Sequence, residues 1–480
     1  MDTPPPEKRE GNDGNGKPHV LVVPFPAQGH MLALLDLVAL LATCGGPELS
    51  VTVAITAGNA PLLEPLLADC PSIGVVTLPF PSSPLLPPGC GENTRDLPLH
   101  LFRMFIPALA ELRAPLLAWC KAQAPTQRVT AVVSDIFTGW ARPLAAELGA
   151  RHVTFSPCSA LHVAFSRPLW RDMPQRIRAD ADADEAVVTF PDVRGGAHSF
   201  PWRRLPMTYR LHKVGDEPSE MIRQITLWSL LDTECVVLNS FAALEPTYLD
   251  RRSPLVPRVL AVGPLSEARA TVSANRGGKP AVAPSAVAAW LDAFADGSVV
   301  YVSFGTQHAL SPEQAACVAD ALAQSSAAFV WAAGTLTVLP EGFEAATASR
   351  GMVIRGWAPQ VEILRHRAVG WFLMHCGMNA VLEAASASVA MLTWPMGADH
   401  FFNKIVVEEA GVAMHVAEGA DTVPDAGRMA EAIAAAVGDE GKAIRERAVE
   451  LGRKAAEAVA EGGSSYMDFQ ELVHMLAKVD

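Results

Sequence analysis

Residues 357–403 decide the fold of this chain, and they read WAPQVEILRHRAVGWFLMHCGMNAVLEAASASVAMLTWPMGADHFFN. Val369–Met374 is an apolar run that predicts a buried strand, and Asn379–Ser386 has helical character. The turn His375-Cys376-Gly377 lies between them. A strand, a tight turn and a helix in this order are how an α/β sheet presents a helix N-terminus to an anion.

The turn contains the groups that an anion site needs. Gly377 allows the backbone to approach a phosphate closely. The free N–H groups at the start of the helix would point at that phosphate, and they belong to Met378, Asn379 and Ala380. We predict Asn379 as the N-cap of the helix, and His375 can add a further donor.

Other side chains of the stretch suit the remaining parts of a nucleotide sugar. Glu383 follows Asn379 by four residues, so both lie on one side of the helix, where a carboxylate suits ribose hydroxyls. Trp357 offers a flat face for a base. Asp399 and His400 open the next helix and could bind sugar hydroxyls. Each of these residue types is more often structural when it occurs alone, but their occurrence together favours a site.

The whole stretch resembles the signature of the plant secondary-product glycosyltransferases, the family 1 UDP-glycosyltransferases, and is most similar to their flavonoid- and phenol-modifying branch. That signature runs from a WAPQ start through HCGWNS and a glutamate to a closing Asp-Gln. The resemblance implies an α/β protein of the GT-B fold, with two Rossmann-like domains facing a cleft and a final helix that crosses back to the first domain. It also implies an inverting transferase that uses a UDP-sugar as co-substrate.

The resemblance assigns roles within the stretch. It implies that Trp357 stacks on uracil, with Ala358 contacting the base through its backbone. Ribose would be bound by Gln360 and Glu383, and the sugar by Asp399 with His400. The complete implied donor-binding set is Thr306, Trp357, Ala358, Gln360, His375, Gly377, Met378, Asn379, Ala380, Glu383, Asp399 and His400.

Five positions depart from the usual signature. Met378 replaces Trp, Ala380 replaces Ser, and His400 replaces the commoner Gln, while Ser388 and Ala390 stand where Gly and Pro are usual. The change at Ala380 removes one hydroxyl contact to phosphate, and a hydrogen bond to a charged group contributes about 1.5–3 kcal/mol. Met378 and His400 bear on the identity of the sugar and leave the nucleotide unaffected.

Composition bounds the class of protein. A length of 480 residues favours two domains, and 50% hydrophobic residues provide a large core. The net charge of −13 argues against nucleic acid, and a diphosphate here must depend on helix N-termini and neutral donors. Eight cysteines without metal-ligand spacing predict reduced thiols and a cytoplasmic protein. No secretory signal or spanning helix is predicted, and residues 1–17 form a polar, disordered tail.

Strands alternate with helices in two successive series, which predicts two parallel sheets with both faces covered. We predict a first, acceptor-binding domain over residues 18–264, a linker over 265–284 and a UDP-sugar-binding domain over 285–464. By the resemblance, residues 465–480 cross back onto the first domain. Ser311-Pro312-Glu313-Gln314 predicts a capping box with Pro at the first helical position.

Two polar residues follow predicted strands of the first domain. His30 ends the turn PFPAQGH at the start of a helix, whose positive end would help to keep the ring neutral and able to act as a base. Asp135 ends the strand in VVSDIF and could orient the ring of His30 and stabilise its charged form. Both segments resemble the catalytic segments of the family, which implies His30 as general base and Asp135 as its partner.

The remaining predictions concern the acceptor and the cofactors. Apolar and aromatic walls suit a flat phenolic such as a flavonoid. No carboxylates have metal-ligand spacing, so we predict no metal and no cofactor besides the UDP-sugar, and we predict a monomer. The predicted acceptor-binding residues are Phe25, Phe102, Phe137, Trp140 and Phe155.

Two alternative functions have distinct sequence requirements. A nicotinamide dehydrogenase would need Gly-x-Gly-x-x-Gly after a strand, with an acidic residue about twenty positions later, and the chain lacks this fingerprint. A non-catalytic UDP-sugar binder would be compatible with Met378 and Ala380. However, pure binding requires neither His30 nor Asp135.

Overall fold

The computed structural model describes residues 17–46, 49–174, 184–190, 193, 199–249, 257–268, 278–306 and 309–478. The predicted disordered tail lies outside these residues except for Lys17. The first part of the chain forms strands β1 (His19–Val23), β2 (Ser50–Thr56), β3 (Gly74–Leu78), β4 (Ala131–Asp135), β5 (Arg151–Ser156), β6 (Val187–Thr189), β7 (Ser199–Pro201), β8 (Cys235–Leu238) and β9 (Arg258–Ala261).

Helices cover the first sheet on both faces. They are α1 (Gln28–Cys44), α2 (Glu64–Asp69), α3 (Phe102–Leu109), α4 (Arg113–Lys121), α5 (Ala141–Leu148), α6 (Ala160–Asp172), α7 (Met207–Arg210), α8 (Glu217–Leu230) and α9 (Leu265–Ala268). The sheet has seven parallel strands in the order β3-β2-β1-β4-β5-β8-β9, and β6 pairs with β7 in a separate antiparallel hairpin. We call the part built on this sheet the first domain.

The second series has the same design. Its strands are β10 (Val299–Ser303), β11 (Ala328–Ala332), β12 (Gly351–Ile354), β13 (Val369–Met374), β14 (Ala390–Thr393) and β15 (Ala413–His415), in the parallel order β12-β11-β10-β13-β14-β15. Its helices are α10 (Pro284–Leu291), α11 (Pro312–Ser325), α12 (Phe343–Thr347), α13 (Gln360–Leu364), α14 (Met378–Ser386), α15 (His400–Glu409), α16 (Ala426–Val437) and α17 (Lys442–Val459). We call this part the second domain.

The last helix, α18 (Ser464–Ala477), returns to the first domain, as predicted. Its buried residues Phe469, Leu472 and Leu476 join the core cluster that α1 forms on one face of the first sheet. The carboxylate of Asp468 accepts a hydrogen bond of 2.9 Å from the backbone N–H of Ala261 at the end of β9. The final helix is therefore a structural part of the first domain.

Local sequence explains several element boundaries. The capping box at Ser311 is confirmed, since its hydroxyl accepts from the N–H of Gln314 while the Gln314 side chain accepts from the N–H of Ser311. The sequence predicts one helical region over residues 98–122, but the structure divides it into α3 and α4 by a 3₁₀ turn at Ala110–Leu112. Pro115 disfavours an unbroken helix there, because its ring would clash with the carbonyl four residues earlier.

Residues of the predicted linker take two forms in the described part of the chain. Leu265–Ala268 forms the short helix α9, and Leu265 is fully buried in the first domain. Further along, Ala281 donates a backbone hydrogen bond to the carbonyl of Trp357. The described residues also contain no helix long and apolar enough to cross a membrane.

Polar contacts join the two domains. Arg203 and Arg204 both pair with Glu418, and the Arg204 Nε lies 2.8 Å from a carboxylate oxygen of Glu418. The hydroxyl of Tyr248 donates to the carboxylate of Glu409 at 3.1 Å. The carboxyl ends of the central strands of both sheets border the cleft between the domains, which is where open α/β sheets bind ligands.

Candidate active site

His30 and Asp135 meet at the edge of the first sheet. They follow β1 and belong to β4, which are neighbouring parallel strands, so both strands end at the same edge. The Nδ1 atom of His30 lies 2.9 Å from one carboxylate oxygen of Asp135 and 3.1 Å from the other. The His30 side chain is 19% exposed and that of Asp135 is fully buried. The predicted pair therefore has the geometry of a base and its orienting carboxylate.

Asp135 is itself held in position by the backbone. One of its carboxylate oxygens accepts a hydrogen bond of 2.9 Å from the N–H of Phe137, in the turn that follows β4. The carboxylate thus has a donor on each side, the backbone and the imidazole. Such a carboxylate fixes which imidazole nitrogen carries the proton, because its partner Nδ1 must be the donor.

The pKa of His30 is set by its neighbours as well as by its own helix. Burial alone would lower the pKa of the imidazole, but the charge and the hydrogen bond of Asp135 outweigh burial and raise the pKa above its usual value. The sequence-based expectation considered only the helix end, which lowers the pKa, and did not include this carboxylate. A carboxylate in direct contact has a stronger effect than the partial charge of a helix terminus. Asp399 of the second domain also raises this pKa, so its charge acts across the cleft.

Three of the predicted acceptor-binding aromatics surround His30. The ring of Phe137 stacks on the imidazole with centroids 5.1 Å apart, and Phe25 meets it edge-on at 5.4 Å. Phe102 lies 5.9 Å from both of these phenylalanine rings. Phe102 and Phe137 are partly exposed, whereas Phe25 is fully buried behind them. Phe102 and Phe137 thus form the exposed aromatic surface beside His30.

The other two predicted acceptor residues lie elsewhere. Trp140 is 2% exposed and borders an apolar cavity of about 30 Å³ behind the turn after β1, together with Val23 and Met31. Phe155 is fully buried in the core cluster on the opposite face of the sheet, beside α1 and α18. Side chains of successive strand residues point to opposite faces of a sheet, so Phe155 lies on the same face as Val153, two residues earlier. The structure does not bring Phe155 to the cleft.

The turn His375-Cys376-Gly377, which we call the donor turn after its predicted ligand, places the ring of His375 between two glycines. A Cβ atom added at Gly377 would lie 2.6 Å from Nε2 of His375, and one added at Gly305 would lie 2.8 Å from its Cε1. Both positions therefore require the absence of a side chain. Cys376 between them adopts a left-handed conformation with φ of +67°, which turns the chain sharply from β13 into α14. Thr306 follows Gly305 and is exposed.

The prediction that Asn379 caps this helix is wrong. Gly377 is the N-cap residue of α14, and no side chain caps the helix there, so its first N–H groups stay available to a ligand. Asn379 lies inside the first turn, and its side-chain amide donates a hydrogen bond of 2.8 Å to the carbonyl of Gly29, next to His30. The start of α14 and the turn that contains His30 are thereby joined across the cleft.

The predicted ribose-binding side chains contact each other. The amide of Gln360 donates to the carboxylate of Glu383 at 2.7 Å. Gln360 in turn accepts from the buried hydroxyl of Tyr301, at 3.1 Å. Tyr301 lies in β10 within a continuous buried run, VVYVS, which gave no sequence signal for this contact. Trp357 is half-buried at the start of the same stretch, and Ala358, also half-buried, accepts a backbone hydrogen bond from Gln360.

Asp399 and His400 lie at the start of α15. Ala398 before them has a φ of +50°, a left-handed conformation that is uncommon for alanine. The Nδ1 atom of His400 accepts a hydrogen bond of 3.3 Å from the N–H of Gly397, so the proton of a neutral ring is on Nε2. The rings of His400 and His375 pack edge to face with their centroids 4.8 Å apart. The residue predicted to bind the sugar thus lies beside the one predicted to bind the phosphate.

Asn403 is a site residue that sequence reasoning missed. Its side-chain amide donates to the carboxylate of Asp399 at 2.8 Å and to the carbonyl of Cys376 at 2.9 Å. It therefore connects α15 to the donor turn. The spacing of four residues from Asp399 on one helix is the signal that could have identified it.

Four of the five positions that depart from the signature are buried, and two of these lie in the first turn of α14. Met378 is 4% exposed and Ala380 is 6% exposed, and both belong to the core cluster of the second domain. Their contribution to a ligand is thus restricted to the backbone N–H groups of the first helical turn. Among the described residues, no group of three His, Cys, Asp or Glu side chains is arranged to hold a metal ion.

Comparison with known proteins identifies the class of protein that this fold and site define. Residues 17–180 match the family described as glycosyltransferase, N-terminal domain, and residues 275–445 match UDP-glucoronosyl and UDP-glucosyl transferase. UDP-glycosyltransferase 89B2 of Stevia rebaudiana is 41% identical over 97% of this chain and 99% of its own length. Flavonol 3-O-glucosyltransferase UGT89B1 of Arabidopsis thaliana is 41% identical over 96% of this chain and 97% of its own.

Solved structures agree with this class. The crystal structure of A. thaliana UGT89C1 complexed with UDP-L-rhamnose is 34% identical, has a TM-score of 0.75 and covers 97% of this chain and 100% of that chain. The same protein complexed with quercetin has a TM-score of 0.73 at 33% identity, with 96% and 100% coverage. The molecule is a glycosyltransferase enzyme with the GT-B fold, as the resemblance of the signature implied. It belongs to the plant family 1 UDP-glycosyltransferases.

Proposed function

We propose that this enzyme transfers the sugar of a UDP-sugar, with inversion, to a hydroxyl group of a small hydrophobic phenolic such as a flavonoid. The observation that carries the proposal is the hydrogen bond of 2.9 Å between His30 and the buried Asp135, at the cleft-facing edge of the first sheet. Because Nδ1 of the ring donates to Asp135, the other nitrogen, Nε2, is the one that can accept a proton from substrate.

The reaction proceeds by a single displacement. Nε2 of His30 takes the proton from the acceptor hydroxyl, and the oxygen attacks the anomeric carbon from the face opposite UDP. The new bond from carbon to oxygen forms as the bond to the diphosphate oxygen breaks, and that oxygen takes the electron pair. The imidazolium that results is stabilised by the carboxylate of Asp135.

The leaving diphosphate gains negative charge, and neutral donors would stabilise it. The uncapped N–H groups at the start of α14 point into the turn, and His375 is fixed beside them by Gly305 and Gly377. Thr306 supplies a hydroxyl at the same edge. Preorganised donors of this kind stabilise developing charge without a metal ion. We therefore expect the rate to be unchanged by a magnesium chelator.

The acceptor assignment rests on the aromatic surface beside the base. Phe102 and Phe137 are partly exposed and perpendicular to each other, and Phe137 stacks on His30. A flat phenolic ring packed on them would bring its hydroxyl next to Nε2. Relatives support the same class of acceptor, since one at 41% identity is named as a flavonol 3-O-glucosyltransferase and UGT89C1 has been crystallised with quercetin.

The donor sugar is the second part of the proposal. His400 has one donor, on Nε2, because its Nδ1 accepts from Gly397, whereas the usual Gln has two donors and one acceptor. We therefore propose that the enzyme uses a donor other than UDP-glucose well, and UDP-rhamnose, with its methyl group and fewer hydroxyls, is the leading candidate. UDP-galactose and UDP-arabinose are further candidates. UDP-glucose is the competing donor, because the Arabidopsis relative is named as a glucosyltransferase.

The experiment is a donor panel with a matched substitution. The ratio of kcat/KM for UDP-rhamnose and UDP-glucose is measured with a flavonol acceptor, for the natural enzyme and for His400→Gln. We expect His400→Gln to shift the preference toward UDP-glucose. A ratio that changes by less than about twofold would show that His400 does not select the sugar. Absence of turnover with every donor and phenolic in the panel would contradict the proposed reaction itself.

A further inference from the structure

The helix that carries the predicted sugar-binding pair is packed against the first domain by one aromatic side chain. Phe402 lies in the first turn of α15, two residues after His400, and is fully buried. Its ring meets Phe200 at 4.8 Å, Phe165 at 4.9 Å and His162 at 5.2 Å. All three partners belong to the first domain. The second domain thus inserts one ring into the core of the first, three residues along the chain from Asp399.

The partners of Phe402 form a rigid group. Phe165 meets Phe200 at 4.4 Å and Phe190 at 4.3 Å, and all three rings are buried. We call Phe165, Phe190, Phe200 and Phe402 the aromatic anchor. Well-packed aromatic clusters of this kind have one preferred arrangement, so a change in one ring shifts its neighbours.

The helix that contains Phe165 is also fixed at its start. The buried carboxylate of Glu245 accepts hydrogen bonds of 3.0 Å from the N–H groups of Ala160 and Leu161, the first residues of α6. The hydroxyl of Ser240 donates to the same carboxylate at 2.6 Å. The first-domain side of the aromatic anchor is therefore immobilised by the core of its own domain.

The start of α15 is attached on two sides by two consecutive residues. Phe402 packs on the first domain, while the buried Asn403 donates to Asp399 and to the carbonyl of Cys376 in the donor turn. Because Asp399 lies within one helical turn of Phe402, a shift of this ring moves the carboxylate directly. Polar contacts from the first domain also reach α15, since the hydroxyl of Tyr248 donates to Glu409 at the end of the helix. Phe402 supplies the buried apolar contact at the start of the helix, next to Asp399 and His400.

We propose that the aromatic anchor positions Asp399 and His400, so that first-domain residues which touch no part of the donor determine how well the enzyme selects its sugar. The inference rests on the proposed role of Asp399 and His400 in binding the sugar. It assigns Phe165, Phe200 and Phe402 as positioning residues, and they act through the start of α15. Nucleotide binding, which depends on α13, α14 and Trp357, is independent of the aromatic anchor.

The test compares substitutions on the two sides of the domain interface. Phe165→Leu in the first domain and Phe402→Leu in the second are made in the full-length chain, and both remove ring contacts while keeping the site apolar. We measure the affinity for plain UDP by calorimetry and the ratio of kcat/KM for UDP-rhamnose and UDP-glucose. The expected result is UDP affinity within about twofold of the natural enzyme and a sugar ratio that changes by about threefold or more in both variants.

A matched control separates this effect from general loss of packing. Phe329→Leu removes an equally buried ring that stacks on Phe343 at 5.6 Å, within the second domain and away from α15. It should leave the sugar ratio unchanged. If a leucine variant does not fold, as judged by its thermal unfolding, the methionine variant at the same position takes its place, because a flexible thioether fills irregular apolar space.

An Asp399→Asn variant distinguishes failure of this inference from failure of the proposed function. If Asp399→Asn changes the sugar ratio but Phe165→Leu and Phe402→Leu do not, the aromatic anchor has no positioning role and the inference is overturned. If Asp399→Asn leaves the ratio and the affinity for the intact donor unchanged, the proposed sugar site is wrong, and the inference falls with it.

Discussion

The donor side and the acceptor side of the cleft are built in opposite ways. The proposed donor side comes almost entirely from the continuous stretch of residues 357–403. In this stretch Trp357 precedes α13, His375 precedes α14 and Asp399 precedes α15. The acceptor side collects His30, Asp135 and Phe102 from segments that are far apart in the chain and that only the first sheet brings together. A local signature can therefore report the donor side, whereas the acceptor side depends on the register of the sheet.

If the two sides are chemically separate, loss of the base should remove turnover and leave nucleotide binding intact. His30→Ala is expected to lower kcat by about 10²–10⁴-fold, because it removes the imidazole that hydrogen bonds Asp135. Calorimetry with UDP should give an affinity close to that of the natural enzyme. A variant that keeps more than about a tenth of the natural rate would show that His30 is not the base.

A substitution confined to the donor turn should have the converse effect. Gly377→Ala adds a Cβ atom 2.6 Å from Nε2 of His375, so the ring must move away from the phosphate position. Forced overpacking costs about 1–3 kcal/mol, and we expect UDP to bind about 10- to 100-fold more weakly. Gly397→Ala is the control, because its added Cβ atom meets nothing within 4 Å. Equal UDP affinity for the natural enzyme and Gly377→Ala would contradict the proposed place of the diphosphate.

The base and ribose end of the nucleotide should respond to two further substitutions. Trp357→Ala removes the flat face predicted for uracil, and loss of one stacked base contact weakens binding by about 1–3 kcal/mol. Glu383→Ala removes the carboxylate that Gln360 contacts, and with it the predicted ribose acceptor. Both should weaken plain UDP as much as the intact donor, measured by calorimetry. If both variants bind UDP normally, the nucleoside lies elsewhere.

The smallest expected effect is a shift in pH dependence. His30 acts as a base only when neutral, and Asp135 raises its pKa, so kcat/KM should fall as the pH drops through that raised pKa. In Asp135→Asn the charge is gone while burial remains, so the pKa decreases and the acid limb should move to lower pH, at a reduced maximal rate. Glu383→Gln is the matched control, because Glu383 is not among the groups that shift the pKa of His30. If the fall of kcat/KM at low pH occurs at the same pH in Asp135→Asn as in the natural enzyme, a group other than His30 causes that fall.

The sequence predicted local features well and contacts between segments poorly. Val369–Met374 was predicted as a strand and has those bounds, because a buried run bordered by a turn is a local signal. The capping box at Ser311 is equally local. Asn379 was predicted as a cap because its type favours caps, but its side chain bonds the carbonyl of Gly29 in the other domain. No local pattern contains that partner.

Two further residues show the same limit of local patterns. Phe155 was predicted in the acceptor pocket, but the pleat of β5 places it on the face covered by α1 and α18. The sequence-based argument on the pKa of His30 used only its own helix, whereas the carboxylate that raises this pKa comes from another strand. In each case the missing information was the position of a residue relative to the whole sheet. The bounds of the linker, the acceptor-binding role of the residues beside His30 and the monomeric state of the protein stay predictions.

The return of α18 to the first sheet has a consequence for the order of synthesis. The core cluster on the α1 face of that sheet includes Phe469, Leu472 and Leu476, and the edge strand β9 is bonded to Asp468. These residues leave the ribosome more than 200 positions after β9. The first domain therefore has an uncovered apolar face while the entire second domain is being made. A nascent chain of this enzyme should need protection from aggregation until translation ends, and truncation before α18 should make the first domain insoluble.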